Sequence, residues 1–134
     1  MKQSKDKHSA MVKADRYFSA FIRARDSKNG VAVCCSCQKT TSTFDCGHFM
    51  SRRFQATRYD ELNANAQCLK CNRFENGNQF EHARYIDTKH GAGTAERLRL
   101  KARMTSKRTQ IDFEFIAQTY KDKLDALGLA VKDE

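Results

Sequence analysis

Two CxxC pairs, Cys34-x-x-Cys37 and Cys68-x-x-Cys71, constrain this chain more than any other feature, because two such knuckles can converge four thiolates on one tetrahedral zinc ion. Redox dithiols and buried small apolar residues are the competing readings, but a redox pair does not require a second pair of matching spacing. A closed four-thiolate site leaves no open coordination position, so this zinc is expected to hold the fold together rather than to react. Cys35 and Cys46 fall outside the frame and read as partly buried free thiols.

At 134 residues the chain is one domain's worth, with a core modest enough to benefit from a metal staple. The expected organisation is a single domain over 1–134, with a basic N-terminal helix in 1–30, a zinc-bound core in 31–90 and C-terminal helices in 91–134. No apolar run is long enough to span a bilayer, and the basic start MKQSKDKHSA leads into polar residues rather than a signal-peptide core. A cytoplasmic, reducing location is therefore expected, which favours metal ligands over disulfides for the 6 cysteines.

The formal net charge of +9 calls for a polyanionic partner, and nucleic acid is the natural one. The excess is segmental. Lys and Arg dominate 1–28 and 89–108, whereas 109–134 is net acidic.

Met11, Ala14, Phe18, Phe21 and Ile22 at helical spacing predict an amphipathic helix over 10–27, with Lys28-Asn29-Gly30 as its stop. Val31-Ala32-Val33 reads as a short strand, and the run 39–43 as a hairpin connection to a second strand over 44–50. Residues 51–67 show no sustained period and read as loop. A helix broken at Asn76-Gly77-Asn78 is expected over 72–89, a third over 95–104 capped by Thr94, and a fourth over 110–127 capped by Thr109. The stripe Phe113, Ile116, Tyr120, Leu124, Leu127 on the last helix is expected to be core rather than a dimer seam.

Inside the cysteine frame lies Asp45-Cys46-Gly47-His48. A neutral His48 imidazole could take a proton from water while a magnesium or manganese ion on oxygen ligands stabilises charge on a phosphodiester. Asp45, Asn72 and Glu75 offer such oxygens, and Asn72 and Glu75 are three apart at a helix start, where both could face one cation. Asp45 and His48 are an odd number of residues apart and would point to opposite faces of a strand, so sharing a site would need a bulge near Gly47. A histidine merely packed against the zinc knuckles is the alternative for His48. Asn63 could brace the loop carrying His48 or be an ordinary loop asparagine. Arg52, Arg53 and Arg58 could hold DNA phosphates or form a solvated basic loop. His8, His82 and His90 read as surface or packing residues.

The stretches GHFMSRR and TRYDELNANAQCLKCNRFENGN resemble the phage NinG/Rap recombination proteins, a family of HNH-related nucleases, and the likeness covers roughly residues 12–127. The family pattern falls on Cys34 and Cys37, Gly47 and His48, Arg52, Asn63, Gln67 to Asn72, and Gly77 with Asn78. The resemblance implies that His48 is the first HNH histidine, that Asn63 is the middle asparagine, and that Asn72 takes the final metal-ligating place. It also implies an α+β fold, a zinc-stapled ββα-metal (HNH-like) core with additional N- and C-terminal helices. One departure stands out: many HNH enzymes carry an acidic ligand immediately before the first histidine, where this chain has Gly47.

The combined expectation is an endodeoxyribonuclease cutting branched DNA such as Holliday junctions and D-loops. It would use a structural zinc and a catalytic magnesium or manganese ion, and would act as a homodimer, since opening a junction symmetrically needs two sites. A non-catalytic zinc module that binds nucleic acid, and an HNH nuclease acting on ordinary duplex, remain the alternatives.

Overall fold

The computed structural model describes residues 2–129, with side chains from residue 5 onward; Met1 and the 130–134 end of the expected C-terminal segment lie outside the described residues. Helix α1 (Lys2–Arg25) buries Ala10, Ala14, Tyr17, Phe18 and Ile22 along one stripe. Helix α5 (Gln110–Ala126) meets that stripe with Phe113, Ala117, Tyr120 and Leu124. Large side chains buried this way stabilise by about 1.5–3 kcal/mol each before entropy is charged, so this first-to-last helix pair is the main core. Phe18 sits at its centre, edge-on to Tyr120 at 4.9 Å and to Tyr59 at 5.6 Å. The stripe on α5 is core up to Leu124, while Leu127 is exposed.

The chain leaves α1 at Arg25 and forms strand β1 (Ser27–Lys28), which pairs antiparallel with β2 (Val31–Val33). Between them Asn29 and Gly30 have φ of 54° and 78°, the left-handed pair of a two-residue type I′ turn. Asn-Gly is thus a hairpin tip rather than the helix stop expected of it. Strand β3 (Thr40–Thr41) adds to β2.

Strand β4 (Phe44–His48) pairs with β5 (Ala64–Cys68) and not with β2, which corrects the expected hairpin. The segment read as loop therefore holds the partner strand, as well as the short helix α2 (Gln55–Arg58). Alternation on β5 is present but disguised. Ala64 joins the α1–α5 core, whereas Asn65 and Gln67 on the opposite face are polar and fully buried.

After β5 a wide helical turn (Lys70–Phe74) carries the second knuckle. Asn76 and Asn78 then break the backbone with φ of 52° and 43°, and α3 (Gln79–His90) follows, so the expected interruption is where it was placed. Helix α4 (Thr94–Ala102) starts after Gly93, the capping position, while Thr94 Oγ1 donates to the Gly91 carbonyl; Thr94 is the first helical residue and not the cap. Thr109 does cap α5, with a reciprocal capping box to Asp112. A second small core joins Phe49, Ile86, Ala95 and Leu98. No described helix is long and apolar enough to cross a membrane.

Candidate metal centre and active-site pocket

The Sγ atoms of Cys34, Cys37, Cys68 and Cys71 all lie within 4.8 Å of one another, and no other such cluster of metal-binding side chains occurs among the described residues. Tetrahedral zinc with Zn–S of about 2.3 Å places its sulfurs about 3.8 Å apart. Cys37 Sγ and Cys68 Sγ are 3.8 Å apart. Backbone N–H groups of Ser36 and Cys37 point at Cys34 Sγ, that of Cys71 points at Cys68 Sγ, and the Asn78 amide points at Cys71 Sγ. Donors arranged this way favour thiolates. The thiols respond unequally: burial and the adjoining sulfurs push the Cys71 thiol up to about 12, whereas the Cys35 hydrogen bond and the backbone donors bring Cys34 down to about 3. The four cysteines fit a metal ion such as zinc. Cys35 and Cys46 stand outside the cluster; the Cys34 sulfur, then burial, raises the Cys35 thiol, and burial raises the Cys46 thiol.

Beside this cluster a cavity of about 530 Å³ opens between α1, β4 and the segment 72–79. Asp45, His48 and Asn72 all line it, so the structure brings together three residues that are far apart in sequence. The expected bulge is not what joins them, since the β4–β5 register runs unbroken from Phe44↔Cys68 to His48↔Ala64. β4 has β5 on one side only, and the cavity wraps round its free edge to reach both faces.

His48 Nε2 lies 3.0 Å from the Arg58 carbonyl. A carbonyl only accepts, so this partner assigns the proton to Nε2 and leaves Nδ1 with its lone pair. Burial drives the His48 pKa down to about 4, against the Arg58 carbonyl and with help from the Arg52 and Arg58 charges. The ring is neutral at pH 7, and Nδ1 has no hydrogen-bond partner among the described residues.

Asn63 is fully buried and ties the loop after β4 in place. Its Nδ2 donates to the Met50 and Thr57 carbonyls, its Oδ1 accepts from Met50 N–H at 2.8 Å, and its carbonyl accepts from Phe49 N–H. It does not line the cavity, but it fixes the segment that presents the Arg58 carbonyl to His48.

Asp45 accepts from Asn72 Nδ2 at 2.8 Å and from Arg73 Nε and Nη2, both at 2.9 Å. Partial burial would raise its pKa, but the Arg73 and Asn72 hydrogen bonds outweigh it, so Asp45 is an ionised carboxylate. The Asn72 side-chain oxygen, Oδ1, has no hydrogen-bond partner among the described residues.

The other expected residues divide. Arg52 lines the cavity with its side chain exposed, while Arg53 is exposed outside it, over the Phe54 ring. Arg58 is corrected: it is buried and grips Asp15 through Nε and Nη2, with Nη1 on the Arg52 carbonyl, leaving no free edge for a phosphate. Glu75 is corrected as well. It is exposed, sits 3.6 Å from Lys70 and does not line the cavity. The wide turn explains this, because more residues per turn rotate a residue three along away from Asn72. Of the other histidines, His82 is buried against Phe49, and His8 and His90 are exposed.

Sequence reasoning missed Asp15, Arg23 and Arg73, which also line the cavity, and Gln67 behind it. Gln67 Nε2 donates to Ser36 Oγ at 2.8 Å and to the Gly77 carbonyl, linking the first knuckle to the cavity wall. It also explains Gly47: a Cβ there would lie 2.2 Å from Gln67 Oε1 and 2.8 Å from Gln67 Cβ. The space that a side chain at position 47 would need is filled by the glutamine.

Fold and site define a class, small α+β proteins in which a four-cysteine cluster braces a pocket pairing a carboxylate with a neutral imidazole. The chain belongs to the family described as Bacteriophage Lambda NinG protein, whose model matches residues 1–129. Neither a curated protein nor a solved structure matches it.

Proposed function

We propose that the chain is a DNA endonuclease of the ββα-metal (HNH) type that hydrolyses phosphodiesters in branched recombination intermediates such as Holliday junctions. The observation that carries this reading is the cavity shared by Asp45, His48 and Asn72, with Nδ1 of a neutral His48 left free by the bond from Nε2 to the Arg58 carbonyl. The four-cysteine cluster would hold zinc as scaffold, since a closed tetrahedral site offers no open position.

With Asp15 taken up by Arg58, the Asp45 carboxylate and the Asn72 amide oxygen in the cavity suit a magnesium or manganese ion that takes its remaining ligands from water and phosphate. Held by Asp45 and Asn72, such an ion would supply Lewis-acid stabilisation of charge on the phosphate and leaving oxygen. His48 Nδ1 takes a proton from water as the water oxygen bonds to phosphorus and the bond from phosphorus to the leaving oxygen breaks. The leaving alkoxide takes its proton from solvent. A phosphate entering beside His48 raises its pKa from about 4 toward neutrality, which makes the ring a better base in the complex than in the free protein. Arg52, exposed at the rim, is placed to hold a phosphate. A homodimer would supply the two sites that symmetric junction opening requires.

The test is cleavage of a synthetic four-way junction and of a matched plain duplex, with magnesium or manganese, by zinc-loaded protein and by His48→Ala. The proposal expects metal-dependent junction cutting that the variant lowers by at least about a hundredfold. Duplex cut as readily as junction would keep the nuclease and remove the branched substrate. Binding without any cleavage would leave a non-catalytic nucleic-acid module.

A further inference from the structure

A second cavity, of about 480 Å³, lies between α1, the start of β4 and the second knuckle, and Arg23, Asp45 and Arg73 line both it and the first. The two adjoin along α1, separated by these shared residues. The second cavity has a distinct chemistry: its only carboxylate is Asp45, which Arg73 already holds, whereas Ser27, Ser42 and Thr43 contribute hydroxyls. Arg23, opposite Arg73, is exposed and forms no ion pair among the described residues; its single side-chain bond is a long one, 3.4 Å, to the Ser19 carbonyl one turn back.

A cavity wall with an unpaired guanidinium, hydroxyl donors and no free carboxylate repels cations and fits an anion with several acceptor oxygens. Because three residues line both cavities, a polyanion lying in the first would pass directly into the second. We infer that this second cavity is a subsite for the sugar-phosphate backbone flanking the scissile phosphate on one side, with Arg23 as its principal phosphate ligand and Ser42 and Thr43 as hydroxyl donors. The inference rests on the nuclease reading for which phosphate is scissile, but the binding it describes can be measured without cleavage.

The experiment measures anisotropy of labelled single-stranded oligonucleotides lengthened one nucleotide at a time, without added magnesium, for the zinc-loaded parent, Arg23→Ala and Arg23→Lys. The expected result is that Kd of Arg23→Ala rises about tenfold or more, with Arg23→Lys between. Its salt slope should fall by about 0.7, and the difference from the parent should appear only beyond a threshold length. A difference independent of length, or none, overturns the subsite. So does competition by polyglutamate equal to that of an oligonucleotide of the same charge, because that would make the cavity a general acidic surface binder. If no substrate is cut yet the length-dependent Arg23 effect remains, the nuclease reading fails and the subsite stands; cutting with an inert Arg23→Ala gives the reverse.

Discussion

Gly47→Ala isolates the link between the metal knuckle and the pocket. The new Cβ would lie 2.2 Å from Gln67 Oε1, 2.8 Å from Gln67 Cβ and 3.0 Å from Gln67 Cδ, so Gln67 must leave its position. Moving it breaks the bonds from Nε2 to Ser36 Oγ and to the Gly77 carbonyl, inside a region where Gln67 is fully buried. Two such bonds contribute about 0.5–1.5 kcal/mol each, and overpacking adds about 1–3 kcal/mol. Alanine also restricts the unfolded chain, which offsets about 0.4–1 kcal/mol, since the backbone at Gly47 is not left-handed. The net expectation is a loss of about 2–4 kcal/mol in urea unfolding of the metal-loaded protein. In a Gln67→Ala background Oε1 and Cδ are gone and no Gln67 bonds are left to break, but the 2.8 Å contact with Cβ remains, so Gly47→Ala should cost about 1–2 kcal/mol, a reduction that a double-mutant cycle reads directly. Equal costs in the two backgrounds would refute the assignment of Gly47 to the space required by Gln67.

Replacing Cys37 or Cys68 by Ser, or chelating the metal, should abolish cooperative thermal unfolding, and metal analysis of the parent should give one zinc per chain. Arg58→Ala should cost about 1.5–3 kcal/mol of stability by removing both charge-assisted bonds to partly buried Asp15, which keeps Tyr59 Oη as a donor, whereas Arg52→Ala should leave unfolding nearly unchanged and weaken DNA binding. His48 and His82 are both lowered from 6.5 to about 4, by burial first, so they are neutral in the fold but protonate in the unfolded chain below about 6.5. Their contribution is present above pH 6.5 and is lost as pH falls toward 4, on the order of 2–3 kcal/mol each. Chemical denaturation across pH 4–7 should show that loss, and a pH-independent midpoint would contradict it.

The cysteine spacing, the broken helix after the second knuckle and the Thr109 cap were legible because each depends on a few neighbouring residues. Pairing of β4 with β5 was not. Adjacent strands are the default partners, and the run 39–43 looked like their connection, yet those residues supply β3 instead. β5 itself escaped notice because alternation is normally read as apolar inside and polar outside. In β5 the polar positions are inside: Asn65 meets His82 Nε2 at 3.1 Å, and Gln67 meets Ser36 and Gly77. Arg58 and Glu75 were misread for a related reason, since charge in a sequence says nothing of whether a partner such as Asp15 or Lys70 already holds it.

The buried polar face of β5 also indicates why the pocket needs the cysteine cluster. Burying Asn65, Gln67 and His82 costs stability unless their partners are held in register, and His82 Nδ1 and Gln67 Oε1 have none among the described residues. The first knuckle fixes Ser36, and the second fixes the turn that carries Asn72 and Arg73 onto Asp45. Loss of the metal would release both anchors at once. The same strand, β4, then loses the residues that hold Asp45 on one face, while His48 on the other remains tied to the Arg58 carbonyl by the loop that Asn63 braces. Metal removal should therefore disorder the carboxylate half of the pocket before the imidazole half, which makes the cluster a condition for bringing the two together.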